Sequence, residues 1–279
     1  MLKIGNIINL PFHYNNEIRS IDMIVADFNH YKRCDCKEDD TVLLATRYLY
    51  PEKLAVDFLY VSGPYSESMK TIDGKLYAIK NKFPDEIQDM IVEVLVPYDS
   101  GSSIYSKTNI ECVSELFIPS VREIGGINGP NVFIDNSKII PIFDGYNKSR
   151  CNTRSNGEHD GWFTRSSFKG SSHDYWVVTE YGGIVQSNTE ENSNCTLGLY
   201  FMFCVDKKKL EEYLHENDIE NLEMNKTIDE SKTVYTEREI IESFIHSIEY
   251  TISEYYDSSA ITSTISILIK TAKDILKIE

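Results

Sequence analysis

The chain has 279 residues, of which 41% are hydrophobic, so it is long enough to bury a sizeable core without disulfides or metal ions. Its formal net charge of -16 repels phosphate backbones, and the densest basic cluster is only Lys207 to Lys209, which argues against a nucleic-acid partner. No window reaches the roughly 18 apolar residues of a membrane helix, so no membrane partner is expected. The N-terminal segment lacks the apolar core of an export signal, and the six cysteines are therefore expected to be reduced thiols.

Short apolar runs near the N-terminus predict strands. Three such runs occupy residues 4–10, 18–28 and Thr41–Thr46. Helices are predicted where apolar residues recur three and four positions apart, and where a proline can open the first turn. These segments are a short helix after Pro51 with Leu54 and Phe58 on one face, a helix over 66–81, and a helix from Pro84 to Leu95.

The middle of the chain combines short strands with a long irregular region. Residues 122–160 are rich in Gly, Asn, Ser and Asp, and a loop of that length inside a domain is usually functional or held by its neighbours. The strands predicted on either side are 115–119, 162–166, 175–180 and 196–206. The last of these is the most apolar and should lie centrally. An amphipathic helix is expected over Lys207–Glu216, followed by a polar linker to residue 233.

From residue 234 onwards the pattern predicts a helical C-terminal tail. Apolar residues follow a four-three repeat that shifts register at residues 257–260, either within one long helix or at the turn of a helical hairpin. Isoleucine at both core positions favours the association of three or more helices, so a homo-oligomer such as a trimer is one interpretation. Docking of these helices onto their own domain is the other. The predicted oligomerisation residues are Ile241, Ile245, Ile248, Ile252, Ile265, Leu268 and Ile275.

The segment 161–183 holds both tryptophans and an arginine between two predicted strands, and it supplies the candidate ligand or partner face. Arg165 has two interpretations: a buried arginine that pairs with a carboxylate and holds the loops, or an exposed ligand anchor. Tryptophans in such a position are more often core anchors than stacking platforms. The candidate residues of this face are Trp162, Arg165, His173, Asp174 and Trp176.

Sequence motifs favour a protein that binds over one that catalyses. The chain has no Gly-x-Ser-x-Gly nucleophile elbow, no glycine-rich phosphate loop and no calcium-lectin string, so no catalytic residue, metal or cofactor is predicted. Cys34 and Cys36 are too close together for a usual zinc pair. The best enzymatic alternative is a bacterial cytosolic hydrolase or metal enzyme that uses the pairs His159-Asp160 and His173-Asp174.

Two short motifs and the order of elements resemble DUF6273, a family of uncharacterised domains found in low-GC Gram-positive bacteria and their phages. The resemblance rests on the helices of segment 64–95, on Leu116-Phe-Ile-Pro-Ser-Val-Arg-Glu123, on Trp162-Phe-Thr-Arg-Ser166 and on the strand around 197–205. It covers about residues 1–206. The family's usual Gly-Val-Arg-Pro is replaced here by Gly198-Leu-Tyr-Phe201.

The resemblance implies an α+β, C-type-lectin-like domain with small twisted antiparallel sheets and a loop-rich face. With the helical patterns described above, the chain divides into this domain at 1–206, a short helix and linker at 207–233, and the tail at 234–279. The resemblance also implies a non-enzymatic phage virion protein, on the tail or baseplate or as a capsid decoration. Expected partners are further copies of the chain and other virion proteins, with a host-surface glycan as a possible ligand. A calcium-independent glycan-binding adhesin would have the same sequence features.

Overall fold

The computed structural model describes residues 2–14, 17–35, 40–50, 54–55, 76–99, 109–126, 137–143, 147–167, 175–187 and 196–217. The chain divides into two compact units, Met1–Asp229 and Glu230–Glu279, and the described residues all belong to the first. The predicted tail helices and their isoleucines lie outside the described residues.

The described part is a mixed fold that consists mostly of strands, arranged in small antiparallel sheets, with a few helices. The strands are β1 (Ile7–Tyr14), β2 (Glu17–Phe28), β3 (Lys32–Arg33), β4 (Thr41–Thr46), β5 (Leu54–Ala55), β6 (Ile91–Val92), β7 (Val94–Asp99), β8 (Asn109–Ser114), β9 (Leu116–Phe117), β10 (Trp162–Ser167), β11 (Tyr175–Val178), β12 (Ile184–Ser187), β13 (Thr196–Leu197) and β14 (Met202–Asp206). The helical segments are 76–80, Asp85–Gln88, Asn147–Arg150 and Lys207–Glu216. None of these helices is long and apolar enough to cross a membrane.

The largest sheet has the order β1-β2-β4-β14-β6, and β9 also pairs with β14. β14 therefore lies centrally, as its apolar sequence predicted. β4 matches its predicted bounds and is buried at every position. Three smaller sheets have the orders β10-β11-β12, β3-β7-β8 and β13-β5.

Both faces of the six-stranded sheet are covered by apolar side chains. Leu44 of β4 and Phe203 of β14 belong to one core cluster, and their neighbours Leu43 and Cys204 belong to the other. Successive side chains of a strand point to opposite faces, so a strand covered on both sides is a continuous apolar run. This arrangement explains why β4 and β14 contain no alternating polar positions.

The N-terminal strands are confirmed: β2 begins one residue before its predicted start, and β1 begins and ends later than the predicted 4–10. β1 continues past Pro11 to Tyr14 and forms a hairpin with β2. Proline is tolerated there because β1 lies at the edge of the sheet, where one side of the strand needs no backbone donor. The helix Lys207–Glu216 also has its predicted bounds, and the side chain of Asp206 caps its start by accepting from Lys209 N–H.

The helix predicted from Pro84 to Leu95 is wrong beyond Gln88. Ile87, Ile91 and Val94 are buried, as the helical spacing suggested, but the last two lie in strands. Ile91 faces Val205 across the β6–β14 ladder, and these backbone pairs replace the helical hydrogen bonds. The apolar spacing therefore predicted correctly which residues are buried, but it predicted the wrong backbone conformation.

Two other predictions need correction. Leu54 and Ala55 form β5 and pair with Leu197 and Thr196, so this part of the helix predicted after Pro51 is a strand. The single strand predicted over 196–206 is two strands, separated at residues 198–201.

β12 was missed, although the glycine pair before it marks the β11–β12 turn. In the predicted helix 66–81, residues 76–80 are helical, residue 81 already lies in a turn, and residues 66–75 lie outside the described ranges.

Candidate functional site

A buried ion pair joins Glu123 to Arg165, which lies in the segment 161–183 with the candidate residues. Glu123 belongs to the turn that follows β9, and Arg165 lies in β10. Both Nη atoms of the arginine donate to the carboxylate, and the two side chains are 0% and 1% exposed. Bidentate pairing of this kind fixes orientation as well as charge.

Further hydrogen bonds connect this pair to Tyr31, to the residues that follow β9 and to β7. Tyr31 donates its hydroxyl hydrogen to Glu123 Oε1 at 2.5 Å, and Ser120 N–H donates to Oε2 at 2.9 Å. Arg165 donates to the carbonyl oxygens of Ile118 at 2.9 Å and Pro97 at 3.2 Å. Ser166 Oγ accepts from Val121 N–H at 2.9 Å. We call Tyr31, Ser120, Glu123, Arg165 and Ser166 the clasp.

Burial keeps the Tyr31 hydroxyl of the clasp protonated. Desolvation, followed by the charge of Glu123, raises the pKa of Tyr31 well above its usual range, so the hydroxyl stays protonated and donates. A buried carboxylate that accepts from an arginine, a tyrosine and a backbone N–H has its charge satisfied by these groups. The arrangement holds β10, the turn after β9 and the residues before β3 together.

The structure places the candidate face residues in different environments. Trp162 is 0% exposed, donates its indole N–H to Arg150 O at 3.1 Å and packs on Tyr200. Of the two interpretations of Arg165, the structure shows the buried, paired one. Burial removes these two residues from any exposed ligand face, because the clasp and the core occupy their polar and apolar surfaces. Trp176 is half-buried, and His173 and Asp174 lie outside the described residues.

The pair His159-Asp160 is split between two environments. Asp160 accepts from Nε and Nη2 of the buried Arg154, whereas His159 is exposed and bridges Thr153 across a short hairpin. The carboxylate is thus engaged by a cation. Within the described ranges, no three His, Cys, Asp or Glu side chains are grouped so as to hold a metal ion.

Two buried arginines in the irregular region were missed by the sequence analysis. Arg150 donates from Nε to Gly182 O at 2.9 Å and from Nη1 to Ile124 O at 3.3 Å. Arg154 binds Asp160 and also approaches Tyr50 O at 3.5 Å. Their pattern in the sequence is that of solvated loop residues, and nothing local distinguishes them. They show that the described part of this region is held by its neighbours.

A third arginine lies at a polar cleft of about 270 Å³ beside the start of the helix Lys207–Glu216. Arg33 donates to Asp35 and to Asp206 there, at 2.7 and 2.9 Å for the closest atoms. Burial opposes ionisation of Asp206, but the hydrogen bonds from Arg33 and from the helix backbone outweigh it and lower the pKa of this carboxyl. The Arg33–Asp206 pair connects β3 with the end of β14.

These features define a mostly β-stranded domain whose buried polar residues hold separate segments together. Residues 40–204, more than half of the chain, match the family described as a domain of unknown function, DUF6273, and the chain belongs to this family. No curated protein and no solved structure matches the chain.

The clasp residues belong largely to the two short motifs that resemble the family. Ser120 and Glu123 belong to one of the two short motifs on which the resemblance rests, and Arg165 and Ser166 belong to the other. The structure brings the two motifs into direct contact through the ion pair. The match begins at residue 40, so the β1–β2 hairpin precedes it and adds two strands to the edge of the central sheet.

Proposed function

We propose that the chain is a non-enzymatic structural protein of a phage particle, on the tail or baseplate or as a capsid decoration. In this proposal a rigid domain of C-type-lectin-like plan contacts other virion proteins or a surface ligand. The observation that carries it is the clasp: Ser120 and Glu123 of one family motif and Arg165 and Ser166 of the other hold the interior together. Motif residues of an enzyme would instead be expected to line a cleft open to a substrate.

The environment of the other candidate residues also favours binding over turnover. A general base needs an available carboxylate or imidazole with a suitable pKa within reach of its substrate. Glu123 is enclosed by Arg165 and Tyr31, and Asp160 is held by Arg154, so both carboxylates have structural roles. Burial raises the pKa of Cys151 to about 11, which makes its thiol a poor nucleophile at neutral pH.

The tail provides the second part of the proposal. Its isoleucine repeat would associate further copies of the chain, for example as a trimer, and so place several copies of the domain on one particle. The partners proposed are therefore the chain itself and other virion proteins, and the proposed location is the virion.

Light scattering on the full chain tests this proposal. We expect a trimer or larger assembly, and we expect Ile245→Asp combined with Ile248→Asp to reduce it to a monomer, because charged residues at core positions prevent helix association. Ile18→Asp is the matched control, since Ile18 is 70% exposed in β2 and its replacement should leave the mass unchanged.

Two results would contradict the proposal. A monomeric full chain would remove the assembly role of the tail. A robust turnover activity that is lost in His159→Ala or His173→Ala would favour the hydrolase alternative.

A further inference from the structure

Two exposed turns leave the same end of the β10–β11–β12 sheet. One is the hairpin tip at residues 155–159, which precedes β10, and the other is the turn between β11 and β12 with exposed residues 180–181. Trp162 pairs with Val178, so the chain enters β10 where it leaves β11. Gly161 makes this junction tight, since a Cβ there would lie 2.8 Å from Val178 O. We call residues 155–159 and 180–181 the two-turn surface.

Buried arginines hold both turns in place. Arg154 is buried at the base of the hairpin, where it binds Asp160, and its N–H donates to Glu158 O at 2.8 Å. Arg150 reaches the second turn through Gly182 O. Because these supports are buried and charge-assisted, they restrain both turns without any ligand. Such pre-organisation reduces the entropic cost of binding.

The tip of the hairpin has a defined conformation. Gly157 has a φ of +89°, and its N–H donates to Arg154 O at 2.8 Å. Asn156 Oδ1 accepts from Glu158 N–H at 3.0 Å, which orients the amide side chain. Every residue from 155 to 159 is nevertheless exposed. A rigid support with a fully exposed polar tip is the arrangement expected of a contact element.

We infer that the two-turn surface binds a saccharide. This inference rests on the proposed function, since it assigns the surface-ligand role to named residues. The tip combines a hydroxyl, an amide, a carboxylate and an imidazole, at Ser155, Asn156, Glu158 and His159, and Tyr181 adds a ring that is 43% exposed. Sugar hydroxyls donate and accept hydrogen bonds, and the C–H face of the sugar ring packs on an aromatic side chain.

A protein partner fits this surface less well. Protein interfaces have an apolar centre in which several large side chains are fully covered. Tyr181 is the one large apolar side chain among residues 155–159 and 180–181, and charged and polar groups make up the remainder of the surface. Hydrogen-bonding groups around a single ring suit a small polyhydroxylated ligand.

The test uses the full chain on a printed array of N-acetylglucosamine, N-acetylmuramic acid, rhamnose and galactose oligosaccharides. The affinity for the strongest oligosaccharide is then measured by calorimetry. We expect Tyr181→Ala, and separately Asn156→Ala combined with Glu158→Ala, to weaken binding by about tenfold or more. Tyr77→Ala is the matched control, because Tyr77 is a 65% exposed tyrosine in the helical segment 76–80, and it should change the affinity by less than about twofold.

Two results overturn the inference: no oligosaccharide binds, or Tyr181→Ala and Tyr77→Ala bind equally well. The outcome is separable from that of the proposed function, because the oligomeric mass is measured independently on the same samples. An oligomer that binds no saccharide removes the surface assignment alone. A monomer that binds through Tyr181 retains the surface and removes the assembly role of the tail.

Discussion

Arg165 and Arg154 make the same chemical pair in two regions of the molecule. Arg165 binds a carboxylate that is 0% exposed, deep between β10 and the turn after β9. Arg154 binds one that is 16% exposed, at the base of a hairpin whose tip lies entirely in solvent. Arg33 extends the series, since its partners Asp206 and Asp35 are 20% and 43% exposed.

The comparison shows how burial changes the role of one interaction. Removing one member of a buried pair leaves an uncompensated charge, whereas an exposed charge is rehydrated. The pair of Arg165 should therefore determine whether the domain folds, and the pair of Arg154 should determine whether one loop keeps its shape. The loss of stability on removing the arginine should therefore be smaller where the carboxylate partner is more exposed.

The largest effect is expected for Arg165→Met. It leaves Glu123 buried without its cation, so the free energy of unfolding should fall by about 3–5 kcal/mol. Urea denaturation measures this loss. The control is Arg19→Met, which breaks an exposed pair with Glu17 and should cost less than about 1 kcal/mol. Equal losses in the two variants would show that burial does not determine how much free energy of unfolding is lost.

Tyr31→Phe should have a smaller effect within the same clasp. It removes one hydrogen bond to a buried carboxylate while Arg165 remains, so we expect a loss of about 2 kcal/mol in the free energy of unfolding. The double variant Tyr31→Phe with Arg165→Met measures their coupling. If the two losses are additive, the tyrosine and the arginine do not act as one unit.

Arg154→Met should affect the hairpin more than the domain. We expect a loss of about 1–2 kcal/mol in the free energy of unfolding, because Asp160 can be partly rehydrated. Limited proteolysis should cut at residues 155–159 faster than in the wild type. Asp160→Asn is the matched control, since the amide keeps the shape of the side chain and one hydrogen-bond acceptor. An unchanged cleavage rate in Arg154→Met would show that the hairpin does not depend on this arginine.

The smallest effect concerns the pH dependence contributed by Asp206. Its pKa is lower in the folded chain than the usual value of 3.8, so the ionised form stabilises the fold at neutral pH. That contribution is present above about pH 4 and is lost as the pH falls through the lowered pKa. We expect Asp206→Asn, which can still cap the helix, to cost less than about 1 kcal/mol at pH 7.

Denaturation curves at several pH values test the direction of this pH dependence. The stability difference between wild type and Asp206→Asn should shrink below about pH 4, where the wild-type carboxyl becomes protonated. A difference that stays constant down to pH 2 would show that the charge of Asp206 does not contribute.

The parts of the fold that were predicted correctly are those in which one local signal determines the conformation. β4 is a continuous apolar run too short for a helix, and the helix Lys207–Glu216 has a capping aspartate before it. Segment 84–95 was mispredicted because its apolar spacing fits both conformations. Pairing with β14, more than a hundred residues later in the sequence, decides in favour of strands.

The site was harder to predict, since it depends on contacts between distant segments. The sequence indicated the region of Arg165, with burial as one interpretation of its side chain. It did not pair Arg165 with Glu123, because 42 residues separate them and no periodicity connects a turn to a strand. The supporting roles of Arg150 and Arg154 depend on backbone carbonyls, which every residue has. The candidate residues His173 and Asp174, and the isoleucines of the tail, remain predictions.

The position of β14 affects how the chain can fold during synthesis. β14 lies between β4 on one side and β6 and β9 on the other, and all three are made before it. Until β14 leaves the ribosome, their edges toward the centre of the sheet have unpaired backbone groups and exposed apolar side chains. The nascent domain therefore completes its core late, which makes premature termination before residue 206 a route to aggregation.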